Sequence, residues 1–121
     1  GHTFGHAFES CNNYQMKHGH CVSIGMAVEA KISELQKSLS KKESEKITVI
    51  LSAFGLPTKM GKDADIEKII EMMKMDKKSR NQRPRFVILK NIGKIKSDKS
   101  NFSYEVDENV IKKAIELCKN D

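Results

Sequence analysis

Tryptophan is absent from the sequence, and the aromatic residues are limited to two tyrosines and five phenylalanines. A core built by these 121 residues must therefore consist mainly of isoleucine, leucine, valine and methionine. No apolar run approaches the roughly 20 residues that a helix needs to cross a bilayer, and the polar start of the sequence does not resemble a signal peptide. We therefore expect one cytoplasmic domain that has no membrane as a partner.

Cysteine is also scarce. The three cysteines are an odd number, and no two of them form a CxxC pair. A disulfide framework is therefore not expected, which agrees with a reducing compartment. Basic residues outnumber acidic residues by 22 to 16, for a net charge of +6. This excess is compatible with lysines spread over helix surfaces, with an anionic substrate, or with nucleic acid, which we do not expect as the main partner.

Histidine is absent beyond residue 20, and the four histidines are His2, His6, His18 and His20. Imidazole is both the commonest metal ligand and the side chain that titrates near neutral pH. His2 and His6 are four residues apart, so they share one face of a helix. This clustering places the chemistry of the protein at its N-terminal end.

The histidine spacing indicates a metal site that lacks one ligand. A catalytic metal generally has three protein ligands and keeps a position open for substrate. Glu9 is the only acid near the cluster, so either Glu9 or a residue outside this sequence supplies a carboxylate. Other interpretations stay open: His2 as a frayed terminal residue, His20 as a helix cap, or a structural zinc site that includes Cys11 and Cys21, although their spacing does not resemble a zinc finger.

Hydrophobic periodicity and capping residues predict a mainly helical chain with a short β-hairpin. Ser40 and Glu43 fit a capping box, in which the Glu43 side chain would reach back to Ser40. Gly19 and Gly25 lie within a predicted helix, where we expect them to serve close packing. The first two predicted helices cover 1–12 and 18–39, and Glu29 is on the polar side of the second. A third predicted helix runs to Phe54 and has Ile47, Ile50, Leu51 and Phe54 facing the core, and a fourth begins at Asp63 or Asp65. The remaining predicted elements are a basic loop over 74–85, strands over 86–89 and 94–96, a polar link over 97–105, and a last helix capped by Asp107.

Four motifs follow one another along the sequence, and the first is Gly1-His2-Thr3-Phe4-Gly5-His6-Ala7-Phe8-Glu9. It matches GHTFGHAxE of the 3-dehydroquinate synthase family, which the four motifs together resemble. His18-Gly19 followed by Val22-Ser23-Ile24-Gly25-Met26 is similar to HGExVxxGM. Met75-Asp76-Lys77-Lys78 is similar to the family's DKK loop, and Arg85-Phe86-Val87-Ile88-Leu89 with Ile92-Gly93 is similar to the strand and turn that follow it.

The resemblance implies a fold and a set of site residues. Residues 1–121 would be the mainly α-helical C-terminal domain of dehydroquinate synthase type, with a short β-hairpin near residues 85–96, and the N-terminal NAD-binding domain would be absent. Zinc, or another divalent metal such as cobalt, would be held by His2 and His18 with a glutamate from upstream. His6 would be catalytic and lie near the substrate phosphate, and Lys77 or Lys78 would bind the substrate.

The activity implied by the resemblance is conversion of 3-deoxy-D-arabino-heptulosonate 7-phosphate, a phosphorylated keto acid, to 3-dehydroquinate and phosphate in the shikimate pathway. NAD would be a cofactor and the full-length enzyme a homodimer, whereas the isolated chain would be inactive. His20 departs from the family, which usually has glutamate there. The alternatives are a related sugar-phosphate cyclase of the inosose or valiolone synthase type and a non-catalytic helical module that binds metal or anions.

Overall fold

The computed structural model describes residues 1–78 and 83–120, except for the side chains of Lys77 and Lys78. Within that part, the expected mainly helical architecture is confirmed, and no helix there is long and apolar enough to span a membrane. The elements in chain order are α1 (His2–Cys11), α2 (His18–Leu35), α3 (Lys41–Ala53), α4 (Ile66–Lys78), β1 (Arg85–Phe86), β2 (Leu89–Asn91), β3 (Lys94–Ile95), β4 (Tyr104–Glu105) and α5 (Glu108–Leu117).

Helix α2 lies at the centre of the fold and packs against α1, α3 and α5. Its side chains Ile24, Val28 and Ile32 are fully buried. They share one core with Phe4 of α1 and Ile115 of α5. Burying an aliphatic side chain of this size contributes about 1.5–3 kcal/mol, so this core fixes α1 against α2 and thereby positions the histidines.

Glycines allow α1 and α2 to approach closely near the histidines. A Cβ atom on Gly25 would lie 2.9 Å from the carbonyl carbon of Gly1 and nearer still to its oxygen. A Cβ atom on Gly5 would lie 3.2 Å from the Cα atom of Val22. The packing role expected for Gly25 is therefore confirmed, but the same expectation for Gly19 is wrong, because a Cβ atom there would meet nothing within 4 Å.

Two buried polar residues of α2 attach the first strands to the helix. Glu29, which was expected on the polar side of α2, is buried instead. Its Oε2 accepts a hydrogen bond of 2.6 Å from the backbone nitrogen of Gly1, and its Oε1 accepts one of 3.4 Å from the Val87 N–H. The Ser33 hydroxyl accepts a 2.9 Å bond from the Leu89 N–H. These hydrogen bonds pair the buried Glu29 carboxylate and Ser33 hydroxyl, whose burial without a partner would cost free energy.

The predicted strand over 86–89 is divided between two sheets. β1 pairs with β4 in antiparallel register, Phe86 opposite Tyr104, whereas β2 pairs with β3, Leu89 opposite Ile95. The expected hairpin near residues 85–96 is therefore present as β2–β3, and the expected polar link over 97–105 contains a strand. The division follows from the bonds to Glu29 and Ser33, because the N–H groups of Val87 and Leu89 are directed to α2.

The capping predictions hold for most helices. Ser40 Oγ accepts a 3.2 Å bond from the Glu43 N–H, and Asp107 accepts a 2.8 Å bond from the Asn109 N–H. Asp65, the second of the two candidates for its helix, accepts a 3.1 Å bond from the Lys68 N–H. The reciprocal half of the capping box is wrong: Glu43 Oε2 accepts a 3.1 Å bond from the Ile92 N–H, in the turn of the β2–β3 hairpin.

Two further predictions about the helices are wrong. Leu51 is buried as expected, but Phe54 is 80% exposed and Ile50 is 42% exposed. Among the described elements, α3 packs mainly against α2, so only a narrow stripe of its apolar residues is covered. The basic loop expected over 74–85 is wrong for residues 74–78, which belong to α4. Residues 79–82 of that prediction lie outside the described residues.

Candidate metal centre

Three imidazole rings meet where α1 lies against the start of α2. His2 and His6 are on successive turns of α1, and His18 is the first residue of α2. The three ring centroids are 5.4 Å apart in every pair. Imidazoles that bind one tetrahedral zinc through nitrogens about 2.0–2.1 Å from the ion have centroids roughly 5 Å apart. The spacing of this group therefore fits a single metal ion.

Glu9 lies beside two of these rings. Its Oε1 is 3.2 Å from His18 Nδ1, which is a hydrogen bond, and 4.0 Å from His6 Nδ1. Candidate ligand atoms of His6, Glu9 and His18 all lie within 4.8 Å of one another. The expected carboxylate was to come either from Glu9 or from a residue outside this sequence, and Glu9 does reach the cluster.

The cluster is open to solvent on the side of the imidazoles. The side chains of His6 and His18 are 60% and 48% exposed, whereas that of Glu9 is only 15% exposed. The carboxylate therefore lies on the protein side of the rings. An ion at the exposed side could keep positions open for other ligands, as a catalytic metal requires.

The start of α1 is fixed by contacts outside the cluster. The backbone nitrogen of Gly1 donates a hydrogen bond to Glu29, and the Thr3 hydroxyl donates a 2.8 Å hydrogen bond to the carbonyl oxygen of Arg85. These two bonds flank His2. The sequence reasoning missed both, although a glutamate among the apolar residues of α2 was a signal that a buried acid required a partner.

The remaining histidine and the nearby cysteines lie apart from this group. His20 is not among the three contacting rings, and Cys11 and Cys21 are not among the described residues that could jointly hold a metal. Burial, assisted by the charge of Glu9, raises the pKa of the Cys21 thiol. Burial also raises the pKa of Cys11. Since the thiolate is the form that binds zinc, a structural zinc site at these cysteines is not supported.

The lysines expected to bind substrate are at the end of α4. Helix α4 packs against α1, the helix that carries His2 and His6. The side chains of Lys77 and Lys78 lie outside the described residues. Their expected role therefore stays a prediction.

Comparison with known proteins agrees with the motifs. A family model described as "3-dehydroquinate synthase C-terminal" matches residues 1–79, which include the complete histidine cluster and both helices that form it. The chain belongs to this family. The resemblance expected from the motifs is thereby confirmed.

Curated relatives of the 3-dehydroquinate synthase family match nearly the whole chain. A 3-dehydroquinate synthase of Pyrococcus furiosus is 41% identical over 120 residues, 99% of this chain and 32% of that relative. One of Thermococcus kodakarensis is 40% identical over 121 residues, again covering 32% of the relative. The pentafunctional AROM polypeptide of Eremothecium gossypii is 38% identical over 104 residues, 7% of its length. The chain thus spans about a third of the length of the two synthases.

Solved structures share the fold. A 2-deoxy-scyllo-inosose synthase, complexed with carbaglucose-6-phosphate, NAD+ and Co2+, superposes with a TM-score of 0.80 at 19% identity. The match covers 97% of this chain and 33% of that one. A second structure of a 2-deoxy-scyllo-inosose synthase gives a TM-score of 0.78 at 21% identity. The helical arrangement of this chain is therefore also found in 2-deoxy-scyllo-inosose synthase.

Proposed function

We propose that residues 1–121 form the C-terminal, metal-binding domain of a 3-dehydroquinate synthase. The longer enzyme converts 3-deoxy-D-arabino-heptulosonate 7-phosphate to 3-dehydroquinate and phosphate in the shikimate pathway. The observation that carries this proposal is the triangle of His2, His6 and His18, whose ring centroids are 5.4 Å apart. This triangle is built by the part of the chain that matches the family.

His2 and His18 are the proposed metal ligands, and a glutamate from the rest of the longer protein is the third. Imidazole and carboxylate donors suit zinc and also cobalt. A bound metal supplies Lewis-acid polarisation of a substrate oxygen. The solved cyclase structure with NAD+ and Co2+ supports a metal and NAD as cofactors of this family, and we assign the NAD site to the rest of the longer protein.

His6 is the proposed catalytic residue that faces the substrate phosphate. Its exposed ring can be reached from solvent, and its Nδ1 is 4.0 Å from the carboxylate of Glu9. An imidazole N–H directed at a phosphate oxygen forms a charge-assisted hydrogen bond and can pass a proton to the departing phosphate. Lys77 and Lys78 are both proposed to bind the substrate, because compact cations suit phosphate and carboxylate groups.

A second ligand set is favoured by a specific distance. The candidate ligand atoms of His6, Glu9 and His18 lie within 4.8 Å of one another, so these three residues could hold an ion without His2. The two sets share His18 and differ in whether His2 or His6 is required. A metal titration of single variants separates them.

The test is a cobalt titration of the 121-residue chain, followed by visible absorption and by zinc competition. We expect His2→Ala and His18→Ala each to weaken binding by at least about tenfold, or 1.4 kcal/mol. His6→Ala should leave the affinity within about twofold. His20→Ala is the matched control, because it removes a histidine from the same helix without touching the triangle.

A loss of affinity in His6→Ala but not in His2→Ala would establish the second ligand set. Equal affinities for the parent chain and all four variants would contradict a metal site at this cluster. Far-UV circular dichroism of each variant shows whether a loss of binding merely reflects a loss of helix.

A related sugar-phosphate cyclase is the second candidate function, because the fold matches that of 2-deoxy-scyllo-inosose synthase. The longer protein that carries this chain should release phosphate from 3-deoxy-D-arabino-heptulosonate 7-phosphate in the presence of NAD and zinc. Glucose 6-phosphate and sedoheptulose 7-phosphate serve as the competing substrates. Faster turnover of either sugar phosphate would replace the first candidate with the second.

A further inference from the structure

The hydrogen bond between Glu9 and His18 points to a role for Glu9, which lies outside the first proposed ligand set and is not a proposed catalytic group. Glu9 Oε1 is 3.2 Å from His18 Nδ1. We propose that Glu9 is a positioning residue, which holds the His18 ring by Nδ1 so that Nε2 is the atom offered to the metal. The inference rests on the proposed function of His18 as a ligand.

The chemistry of the pair determines which nitrogen is available. An ionised carboxylate can only accept hydrogen bonds, so the bonded Nδ1 must carry the proton. In a neutral imidazole the lone pair is then on Nε2, at the other end of the ring. Carboxylate partners of this kind fix the orientation of ligating histidines and raise their basicity, and their loss typically costs about 10–100-fold in metal affinity.

The position of Glu9 favours positioning over direct ligation. Its side chain is 15% exposed, whereas the His18 ring is 48% exposed. The carboxylate thus approaches the ring from the protein side, and the same carboxylate influences the buried thiol of Cys21. A metal with positions open to substrate belongs on the exposed side, and Nε2 is the nitrogen on the far side of the ring from Glu9.

Local structure holds Glu9 in this place. It lies about one helical turn after His6 on α1, next to the buried residue Phe8 in the last turn of the helix. Helix α1 is fixed against α2 by the close approach of Gly5 to Val22. The distance between Glu9 and His18 is therefore determined by the crossing of the two helices, so the carboxylate is in place before a metal binds.

The test is the tautomer of His18 in the metal-free chain, measured by nitrogen-15 NMR of the imidazole at a pH where the ring is neutral. We expect the Nδ1–H form in the parent chain. Glu9→Gln should retain it, because the amide oxygen also accepts a hydrogen bond. Glu9→Ala should shift His18 towards the Nε2–H form. Glu34→Ala, which removes a carboxylate paired with Lys31 elsewhere on α2, is the matched control and should change nothing.

Zinc affinity supplies the second readout. We expect Glu9→Ala to weaken binding about 10–100-fold, and Glu9→Gln to weaken it clearly less. A His18 ring in the Nε2–H form in the parent chain would overturn the inference. Equal losses of zinc in Glu9→Gln and Glu9→Ala would also overturn it, because a direct carboxylate ligand cannot be replaced by an amide. The tautomer is measured without metal, so it tests the inference even if the parent chain, which lacks the third proposed ligand, binds no zinc. The zinc affinities are then compared in the longer protein, where absence of zinc binding would contradict the proposed function but not the tautomer result.

Discussion

Individual glycines determine how closely the histidines approach one another. Gly25 has the carbonyl group of Gly1 where its Cβ atom would be, whereas Gly19 of the same helix has open space. The two positions are alike in residue type and in secondary structure. They differ only in what the other helix places next to them.

We expect Gly25→Ala to destabilise the chain by about 1–3 kcal/mol, because the new methyl group must move α1 away from α2. Gly19→Ala should be neutral or stabilise by up to about 1 kcal/mol, through the higher helix propensity of alanine. Urea unfolding followed by circular dichroism measures both. A Gly25→Ala variant as stable as Gly19→Ala would contradict the close crossing described above.

Cys118 is the residue whose titration is most strongly altered by burial. It lies at the end of α5, and its carbonyl oxygen accepts a 2.8 Å hydrogen bond from the Met60 N–H. Burial raises the pKa of the Cys118 thiol to about 11, from an ordinary value of 9.0. The folded state therefore retains a proton that the unfolded state loses between these two values.

This difference predicts a loss of stability at alkaline pH. The contribution of Cys118 should be complete below pH 9.0 and should disappear as the pH rises towards 11. A shift of two units corresponds to roughly 2–3 kcal/mol. Urea unfolding at successive pH values measures how the free energy of unfolding changes with pH. The same series on Cys118→Ala should lack the decrease between pH 9.0 and 11 that is due to Cys118. An identical slope in the variant would refute the assignment.

At the scale of elements, α3 shows how an apolar face can remain uncovered. The periodicity that predicts the helix treats Leu51 and Phe54 alike, because they are three residues apart on one side. In the structure Leu51 is 8% exposed and Phe54 is 80% exposed. The difference arises because α2 covers one edge of this face.

The two residues should therefore respond differently to the same substitution. Leu51→Ala is expected to cost about 2–4 kcal/mol, since it removes buried methyl groups and leaves a cavity. Phe54→Ala should change the free energy of unfolding by no more than about 0.5 kcal/mol. Thermal or urea unfolding of the two variants measures both changes in the free energy of unfolding. A large loss in Phe54→Ala would mean that another surface covers this residue in solution.

The point where β1 ends and β2 begins could not be predicted from the local sequence. Residues 86–89 are apolar throughout, and an apolar run of this length gives no register. Their backbone is divided between β4, α2 and β3, because Glu29 and Ser33 offer buried acceptors that compete with strand pairing. Only a side chain from another element could have indicated where the run divides.

At the scale of the whole molecule, the site we propose requires more protein than this chain contains. The chain covers 32% of the two curated synthases that it matches along nearly its full length. We expect the 121-residue chain alone to release no phosphate from the proposed substrate, even with NAD and zinc, because the proposed function assigns the third ligand and the NAD site to the rest of a longer protein.

The longer protein should be active under the same conditions, and Glu9→Ala in it should lower phosphate release. A continuous phosphate assay, with the longer protein as the positive control, measures both. Turnover by the 121-residue chain itself would contradict the division of the site between two parts. Self-association of the chain, which exposed apolar residues such as Phe54 favour, is checked by sedimentation of the same samples.

The sequence by itself determined the helical class, most helix caps, and the family. Caps and periodicity are local, so Ser40, Asp65 and Asp107 could be identified from their neighbours alone. The motifs also located His2, His6 and His18, because their order along the chain carries the resemblance. Whether Glu9 reaches His18 stays open in the sequence, because the eight residues between them include the loop that joins α1 to α2.

Only the tertiary structure decided which of these groups meet. The crossing of α1 and α2 brings three rings to centroid distances of 5.4 Å and places Glu9 beside His18. Contacts with Gly1 and Val87 bury Glu29, and the packing of α3 against α2 leaves Phe54 exposed. Each of these outcomes depends on atoms far away in the sequence, and a residue's own neighbours carry no record of what another helix will place against it.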